Sequence, residues 1–236
     1  MVLRPRFLPG LTAALDWYDI RLRDAINEAS ATEIAALCVD QASLDNIFCD
    51  AITRDPATGF VTSFVAGAQN VANFDTTGLD LTVQYRFTPA ANLGDFNLRL
   101  VGGYLDKLTF ISTPGAEPDD DRGEQFIPKY VATADLTWTQ GPVALNYGLS
   151  WFGKTRRFTT EQLRGNPDLS DPRYFFFKER WEHDVQASYR FGTGASLYGG
   201  VNNLTDQRAS VASGGSYPVS AVGRYFYVGA KFGLGR

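Results

Sequence analysis

Hydrophobic and polar residues alternate along this chain in segment after segment. Leu79, Leu81, Val83, Tyr85 and Phe87 interleave with Asp80, Thr82, Gln84, Arg86 and Thr88, and Tyr130, Ala132, Ala134, Leu136 and Trp138 interleave with Lys129, Val131, Thr133, Asp135 and Thr137. The same holds for Trp181, His183, Val185, Ala187, Tyr189 and Phe191 against Arg180, Glu182, Asp184, Gln186, Ser188 and Arg190. A period of two is the signature of strands, whose successive side chains leave on opposite faces. The polar row carries full charges in mid-strand while the apolar row ends in aromatics, which is the pattern of a transmembrane antiparallel β-barrel.

About eight strands are predicted, over Leu11–Ile26, Phe60–Phe87, Phe96–Ile111, Phe126–Thr139, Val143–Phe152, Lys178–Phe191, Ser196–Leu204 and Arg224–Phe232. Most reach the roughly 9–11 residues that a tilted strand needs to cross a bilayer. The second is much longer, implying a projection beyond the membrane or a bend near Gly78. In the first, Leu11, Ala13, Leu15 and Trp17 share a phase that Tyr18, Ile20 and Leu22 abandon, so either a bulge shifts the register or the distal half leaves the lipid.

Connections alternate in length. Pro89–Asp95, Gln140–Pro142 and Gly192–Gly194 are short and have turn chemistry, whereas Asn27–Gly59, Ser112–Gln125, Gly153–Phe177 and Thr205–Gly223 are long. Short periplasmic turns and long extracellular loops are expected of an outer-membrane barrel; a soluble sandwich has no reason to gather its long loops at one end. Aromatics fall at both strand ends, with Phe87, Phe96, Trp138, Tyr189 and Phe191 by the short turns. Phe110, Trp151, Phe152, Phe175–Phe177 and Trp181 lie by the long loops.

Composition narrows the classes further. With 236 residues, 44% hydrophobic and a net charge of −4, the chain is not disordered by composition and offers no basic footprint for nucleic acid. No apolar run is long enough for a membrane-spanning helix. Met1–Pro9 lacks the apolar stretch of a secretory signal, so the signal is absent or the chain is part of a longer one. The two cysteines, Cys38 and Cys49, share one polar segment and read as a disulfide formed in an oxidising compartment. Closing so short a loop stabilises by about 2–3 kcal/mol in the chain-entropy description. Residues 29–44 have spacings compatible with one or two short helical turns.

Catalytic signatures are nearly absent. His183, the only histidine, shares its phase with Trp181 and Val185 and therefore faces lipid, away from any serine and carboxylate in a pocket. Two cysteines without nearby histidine supply too few zinc ligands. Gly192-Thr193-Gly194 is a tight turn with no helix after it, and Asp119-Asp120-Asp121 reads as a solvated acidic loop before a cation site. Asn203-Leu204-Thr205 matches a glycosylation acceptor by chance. Arg156, Arg157 and Arg164 share one long loop and could attract an anionic substrate or lipopolysaccharide phosphate, although a solvated surface explains them more simply. No catalytic, cofactor-binding or metal-binding set is expected, and the chain is not expected to be an enzyme.

Two C-terminal motifs carry a resemblance. Tyr198-Gly199-Gly200-Val201-Asn202-Asn203-Leu204-Thr205-Asp206, followed by Gly223-Arg224-Tyr225-Phe226-Tyr227-Val228-Gly229, resembles the last two strands of TonB-dependent receptors. The family's Asn-Leu-x-Asp is met by Asn203, Leu204 and Asp206, and its Gly-Arg-aromatic by Gly223 and Arg224. Asp16-Trp17-Tyr18-Asp19-Ile20, Asn73 and Thr77-Gly78-Leu79-Asp80-Leu81 look like earlier strands, and the Cys38–Cys49 pair fits the external loop disulfide of many members. The resemblance implies active uptake of a scarce nutrient, such as a ferric siderophore, haem, cobalamin or saccharide, across a Gram-negative outer membrane. It implies as partners the outer-membrane lipid, a small-molecule substrate, the barrel-assembly machinery and the inner-membrane TonB complex, and no cofactor. Members have 22 strands, a plug domain and an N-terminal box; residues 1–236 would be the C-terminal portion alone, with transport competence in doubt. Members commonly end on an aromatic, whereas Phe232 is followed here by Gly-Leu-Gly-Arg. A passive porin-like channel and a soluble ligand-binding β-barrel are the alternatives.

An open sheet edge cannot be left in hydrocarbon, so eight strands must close, pair with another chain or be a segment of something larger. Arg86, Arg99, Lys129, Asp135, Glu182, Asp184 and Arg190 would need mutual pairing in a narrow barrel but cost little in a wide wet lumen, which favours the segment.

Overall fold

The computed structural model describes residues 1–40, 43–113, 117–192, 194–208 and 222–233. In chain order these form β1 (Val2–Leu3), β2 (Leu11–Glu28), α1 (Ala31–Asp40), α2 (Ile47–Asp50), β3 (Ile52–Arg54), β4 (Val61–Phe64), β5 (Ala68–Phe87), β6 (Asp95–Ile111) and β7 (Asp119–Asp120). They continue with β8 (Tyr130–Gln140), β9 (Val143–Phe152), β10 (Thr155–Arg156), α3 (Thr160–Gly165), a 3-10 turn (Pro172–Tyr174), β11 (Phe176–Phe177), β12 (Arg180–Arg190), β13 (Ser196–Asn202) and β14 (Tyr225–Lys231). One ten-stranded sheet runs in the order β1-β2-β5-β6-β8-β9-β12-β13-β14, with β7 on β6. The eight long strands follow one another as a meander. β1 and β14, at the two ends of that order, are not paired with each other among the described residues.

By its contacts the chain divides into two units, Met1–Tyr18 with Gly78–Asp106 and Arg122–Arg236, and Asp19–Thr77 with Lys107–Asp121. In the first unit the cross-strand register turns the alternation into rows. Leu136, Tyr147, Val185, Val201 and Phe226 are successive partners across β8, β9, β12, β13 and β14, and the next row contains Trp138, Leu145, Ala187, Gly199 and Val228. Directly paired residues of an antiparallel ladder share a face, so these rows form one continuous apolar surface. Much of it stays uncovered: Leu145 is 43% exposed, Leu197 47% and Phe226 73%. A sandwich in water would bury such rows against a second sheet.

Aromatic rings band this face near both ends. Tyr104 stacks on Tyr130 at 5.0 Å, Tyr130 on Trp151 at 6.4 Å and Trp151 on Trp181 at 5.5 Å, a ladder across β6, β8, β9 and β12. By the short turns Phe87 stacks on Phe96 at 5.1 Å, Tyr189 meets Phe191 edge-on at 4.9 Å, and the Trp138 indole donates to the Leu93 carbonyl at 2.7 Å. Phe152 is not in the outer band: it pairs with Val131 and Arg180, in the phase of Gly148 and Ser150, and so lies on the polar face. Phe176 and Phe177 belong instead to a loop hairpin, where Thr155 pairs with Phe177 and Arg156 with Phe176.

The second unit holds the only apolar cluster of fully buried residues among those described: Ile34, Leu37, Cys38 and Phe48, with Ile52 and Phe64 packed on it. Here the expected single strand over Phe60–Phe87 is corrected to two. β4 folds back on β3, pairing Ile52 with Phe64, because Phe64 closes the cluster, and β5 starts only at Ala68. The helical segment is longer than expected, with α1 spanning ten residues. β2 continues past the phase change at Trp17–Tyr18 as one strand, and Tyr18 ends the first unit. Beyond it the odd positions are charged: Arg21 pairs with Asp19 at 2.9 Å, and Arg23 and Lys107 share Asp75.

Candidate functional site

The polar face of the first unit is the first place to look for binding. Arg99 pairs with Asp135, Asp135 with Gly148, and Gly148 with Asp184, a transverse row over β6, β8, β9 and β12. Rows beside it add Asn97, Thr137, Asn146 and Gln186. By the short turns, Arg86, Thr88, Asp95, Asn97, Thr137 and Thr139 line a recess of ≈ 740 Å³, with the Thr88 hydroxyl donating to Asp95 at 2.5 Å. Pro9, Phe87 and Phe96 complete the recess, while the rows of charged and amide side chains beside it, rich in donors and acceptors, suit water or a polar protein segment.

The loop over residues 153–177 is ordered by one buried carboxylate. Glu124, 6% exposed, accepts at Oε1 from the Arg156 guanidinium at 3.2 Å, from the Thr160 backbone N–H at 2.9 Å and from the Thr160 hydroxyl at 3.3 Å. Arg156 also donates to the Thr160 hydroxyl at 2.8 Å and, through its backbone N–H, to the Gly123 carbonyl at 2.6 Å. Arg122 in turn donates to the Asp106 carbonyl. α3 starts on a capping box, the Thr159 hydroxyl taking the Gln162 N–H at 3.2 Å while the Gln162 side chain takes the Thr159 N–H at 3.0 Å. The loop carries cations on ring faces: the Lys154 ammonium lies 3.9 Å from the Phe176 centroid, and Arg157 lies over Phe158 and Phe177.

The three loop arginines have different settings. Arg156 pairs with Glu124, Arg157 lies over aromatic rings, and Arg164 sits in the last turn of α3. Glu124 has no sequence signature, because an isolated glutamate carries no local pattern. The Thr159-x-x-Gln162 capping box was readable and marks the helix.

In the second unit Cys38 and Cys49 are joined, S–S 2.13 Å, with Asn46 capping α2 by accepting from the Phe48 and Cys49 N–H groups at 3.0 Å. Asp55 organises the β3–β4 turn by accepting from the backbones of Ala57 and Thr58, and the Thr58 N–H leads in holding its carboxyl below the usual range. Asp119 and Asp120 pair with β6 as β7, and no metal-holding cluster occurs among the described residues. Thr193 lies outside the described residues; Gly194 has φ +80°.

The C-terminal motif residues meet in space. Asn203, 1% exposed with φ +53°, donates its N–H to Asp184 at 2.8 Å, and its side chain closes a two-way bond with the Gln207 backbone at 2.7 Å in each direction. The Leu204 N–H donates to the His183 carbonyl at 2.7 Å, extending the β12–β13 pairing. Asp206 accepts the Arg224 N–H at 3.1 Å and the Arg208 guanidinium at 2.9 Å; the first of these leads in holding its carboxyl below the usual range. Asn-Leu-x-Asp and Gly-Arg are thus two halves of one latch between the ends of β13 and β14. Gly223, at φ +71°, leaves room for it: a Cβ there would lie 2.9 Å from Asp206 Oδ1. Gly200 is needed too, since a Cβ would lie 2.6 Å from the Tyr227 hydroxyl that crosses over it. Phe232, 75% exposed, lies just past β14.

Comparison with known proteins gives the same architecture. The ferric enterobactin receptor of Pseudomonas aeruginosa, in complex with BCV-L6, superimposes with a TM-score of 0.57 at 16% identity, covering 94% of this chain and 29% of that one. The FrpB iron transporter of Neisseria meningitidis gives 0.57 at 14% identity, covering 98% and 30%, and the outer membrane transporter YddB of Escherichia coli 0.55 at 11%, covering 93% and 30%. This chain therefore spans less than a third of the length of the structures it matches. No curated protein matches it. A model of one family, described as "TonB dependent receptor-like, beta-barrel", matches residues 3–204. From that match and from the lipid-facing rows, the chain belongs to the TonB-dependent receptor β-barrel family and resides in the outer membrane of a Gram-negative bacterium.

Proposed function

We propose that residues 1–236 are the C-terminal barrel wall of a TonB-dependent transporter that takes up an iron chelate, and that plug and earlier strands belong to the same protein. The family match over residues 3–204 carries this reading. It is supported by the receptors whose fold the chain shares, two of which are described as a ferric enterobactin receptor and an iron transporter. On this reading the loops over residues 27–59 and 153–177 contact the substrate, the ring-backed cations Lys154 and Arg157 facing a polyanionic chelate. The polar row with Asp135 and Asp184 faces the plug. The inner-membrane TonB complex supplies energy through parts outside this chain, and the barrel-assembly machinery inserts it into the lipid. No catalytic step or cofactor is required.

Uptake of a panel of radiolabelled ferric chelates by cells with and without the protein tests the reading. Uptake of at least one chelate should depend on the protein and stop when the inner membrane is de-energised. Protein-dependent entry that continues without energy would replace the transporter with a passive channel.

A further inference from the structure

His183 lies in the apolar row of β12, paired with Leu149 and flanked along the strand by Trp181 and Val185. The Tyr147 hydroxyl, from the same face of β9, reaches its Nδ1 at 2.7 Å. No other side-chain hydrogen bond of either residue occurs among the described residues. Proton counting then leaves a remainder. If Nδ1 accepts from Tyr147, the Nε2–H has no protein acceptor; if Nδ1–H donates, the Tyr147 O–H is left over. In either tautomer one donor on this apolar face is left without a protein acceptor, and in hydrocarbon an unsatisfied polar group costs several kcal/mol.

Depth identifies what could receive it. The Tyr104–Tyr130–Trp151–Trp181 ladder marks the interface on the side of the long, extracellular loops. His183 is two residues further along β12, about 5 Å deeper for a rise of ~3.4 Å per residue and a tilt of ~40°. That is the level at which acyl chains join their headgroups, and an acyl carbonyl accepts hydrogen bonds without donating any. We infer that His183 and Tyr147 form a lipid-docking site for an acyl carbonyl of lipid A in the outer leaflet. The inference rests on the outer-membrane assignment.

The test uses the intact outer-membrane protein labelled with ¹⁵N-histidine, the His183 signal being identified by its loss in His183→Phe. Spectra are compared in nanodiscs of lipid A, of ester-linked phosphatidylethanolamine and of its ether-linked analogue, which has no acyl carbonyl. The expected result is a shifted His183 ring signal whose N–H exchanges several-fold more slowly in lipid A than in the ether lipid, with the difference abolished in Tyr147→Phe. Identical spectra in lipid A and ether lipid overturn the carbonyl site, and an equal response to the ester phospholipid overturns the assignment to lipid A. Rapid exchange with bulk water in all three lipids is a separate failure: it removes His183 from the membrane face and with it the transporter reading.

Discussion

Replacing Glu124 with alanine should release the loop over residues 153–177 while leaving the strands intact. The carboxylate is 6% exposed and takes three donors on one oxygen, from Arg156 and Thr160. A hydrogen bond to a charged group contributes about 1.5–3 kcal/mol, and three sharing one acceptor are not additive, so a loss of about 3 kcal/mol is expected. Arg156 keeps its bonds to the Thr160 hydroxyl and the Arg122 carbonyl, and its guanidinium is a quarter exposed, which keeps the figure below that for a fully buried ion pair. At ~1.4 kcal/mol per factor of ten, local opening should rise about 150-fold. Hydrogen exchange read by mass spectrometry over residues 155–165 measures it directly, with peptides from β8 and β9 as the internal control. Glu124→Gln keeps an acceptor for the Thr160 N–H and should lose less. Exchange in the alanine variant within about threefold of wild type would refute a clamp of this strength.

Three further outcomes follow from the latch and the disulfide. Asp206 has a lowered pKa in the fold, so its contribution is complete above the unfolded carboxylate value of about 3.9 and disappears as pH falls through the lower folded value. The Arg224 amide should therefore lose exchange protection only on strong acidification, and Asp206→Ala should remove that protection already at pH 7. Gly223→Ala places a Cβ 2.9 Å from Asp206 Oδ1 at a φ of +71°; it should cost about 1 kcal/mol or more and reproduce the loss at Arg224. Reducing Cys38–Cys49 should release about 3 kcal/mol of chain entropy, seen as faster proteolysis within residues 29–67 and an unchanged melting of the strands.

The strands were legible because lipid on one side and water on the other enforce a period of two. β9 matches its expected bounds, and the others differ by a few residues where pairing, not patterning, sets the end. The second strand was overextended because β4 is as apolar as a membrane strand; its Phe64 serves a small cluster in the second unit, and only tertiary contacts distinguish the two uses. Strand phase alone places Trp151 and Trp181 in the outer aromatic band and Phe152 on the polar face, whereas the removal of Phe176 and Phe177 to a loop hairpin depends on their pairing with Arg156 and Thr155. The latch residues were visible as motifs, yet their shared role is long-range: Asp206 reaches Arg224 eighteen residues on. Glu124 was illegible for the same reason, its partners lying thirty-two and thirty-six residues away.

The central claim is that lipid covers the apolar rows and water the polar ones, and β8 tests it most directly. Spin labels placed singly at Thr133, Ala134, Asp135, Leu136 and Thr137 in the membrane-embedded protein, with accessibility to oxygen and to a water-soluble nickel chelate, read the two faces residue by residue. The account predicts strict alternation, with oxygen favoured at Ala134 and Leu136 and the nickel chelate at Thr133, Asp135 and Thr137. Leu136 and Ala134 inaccessible to both reagents, as in a dry protein core, would contradict it.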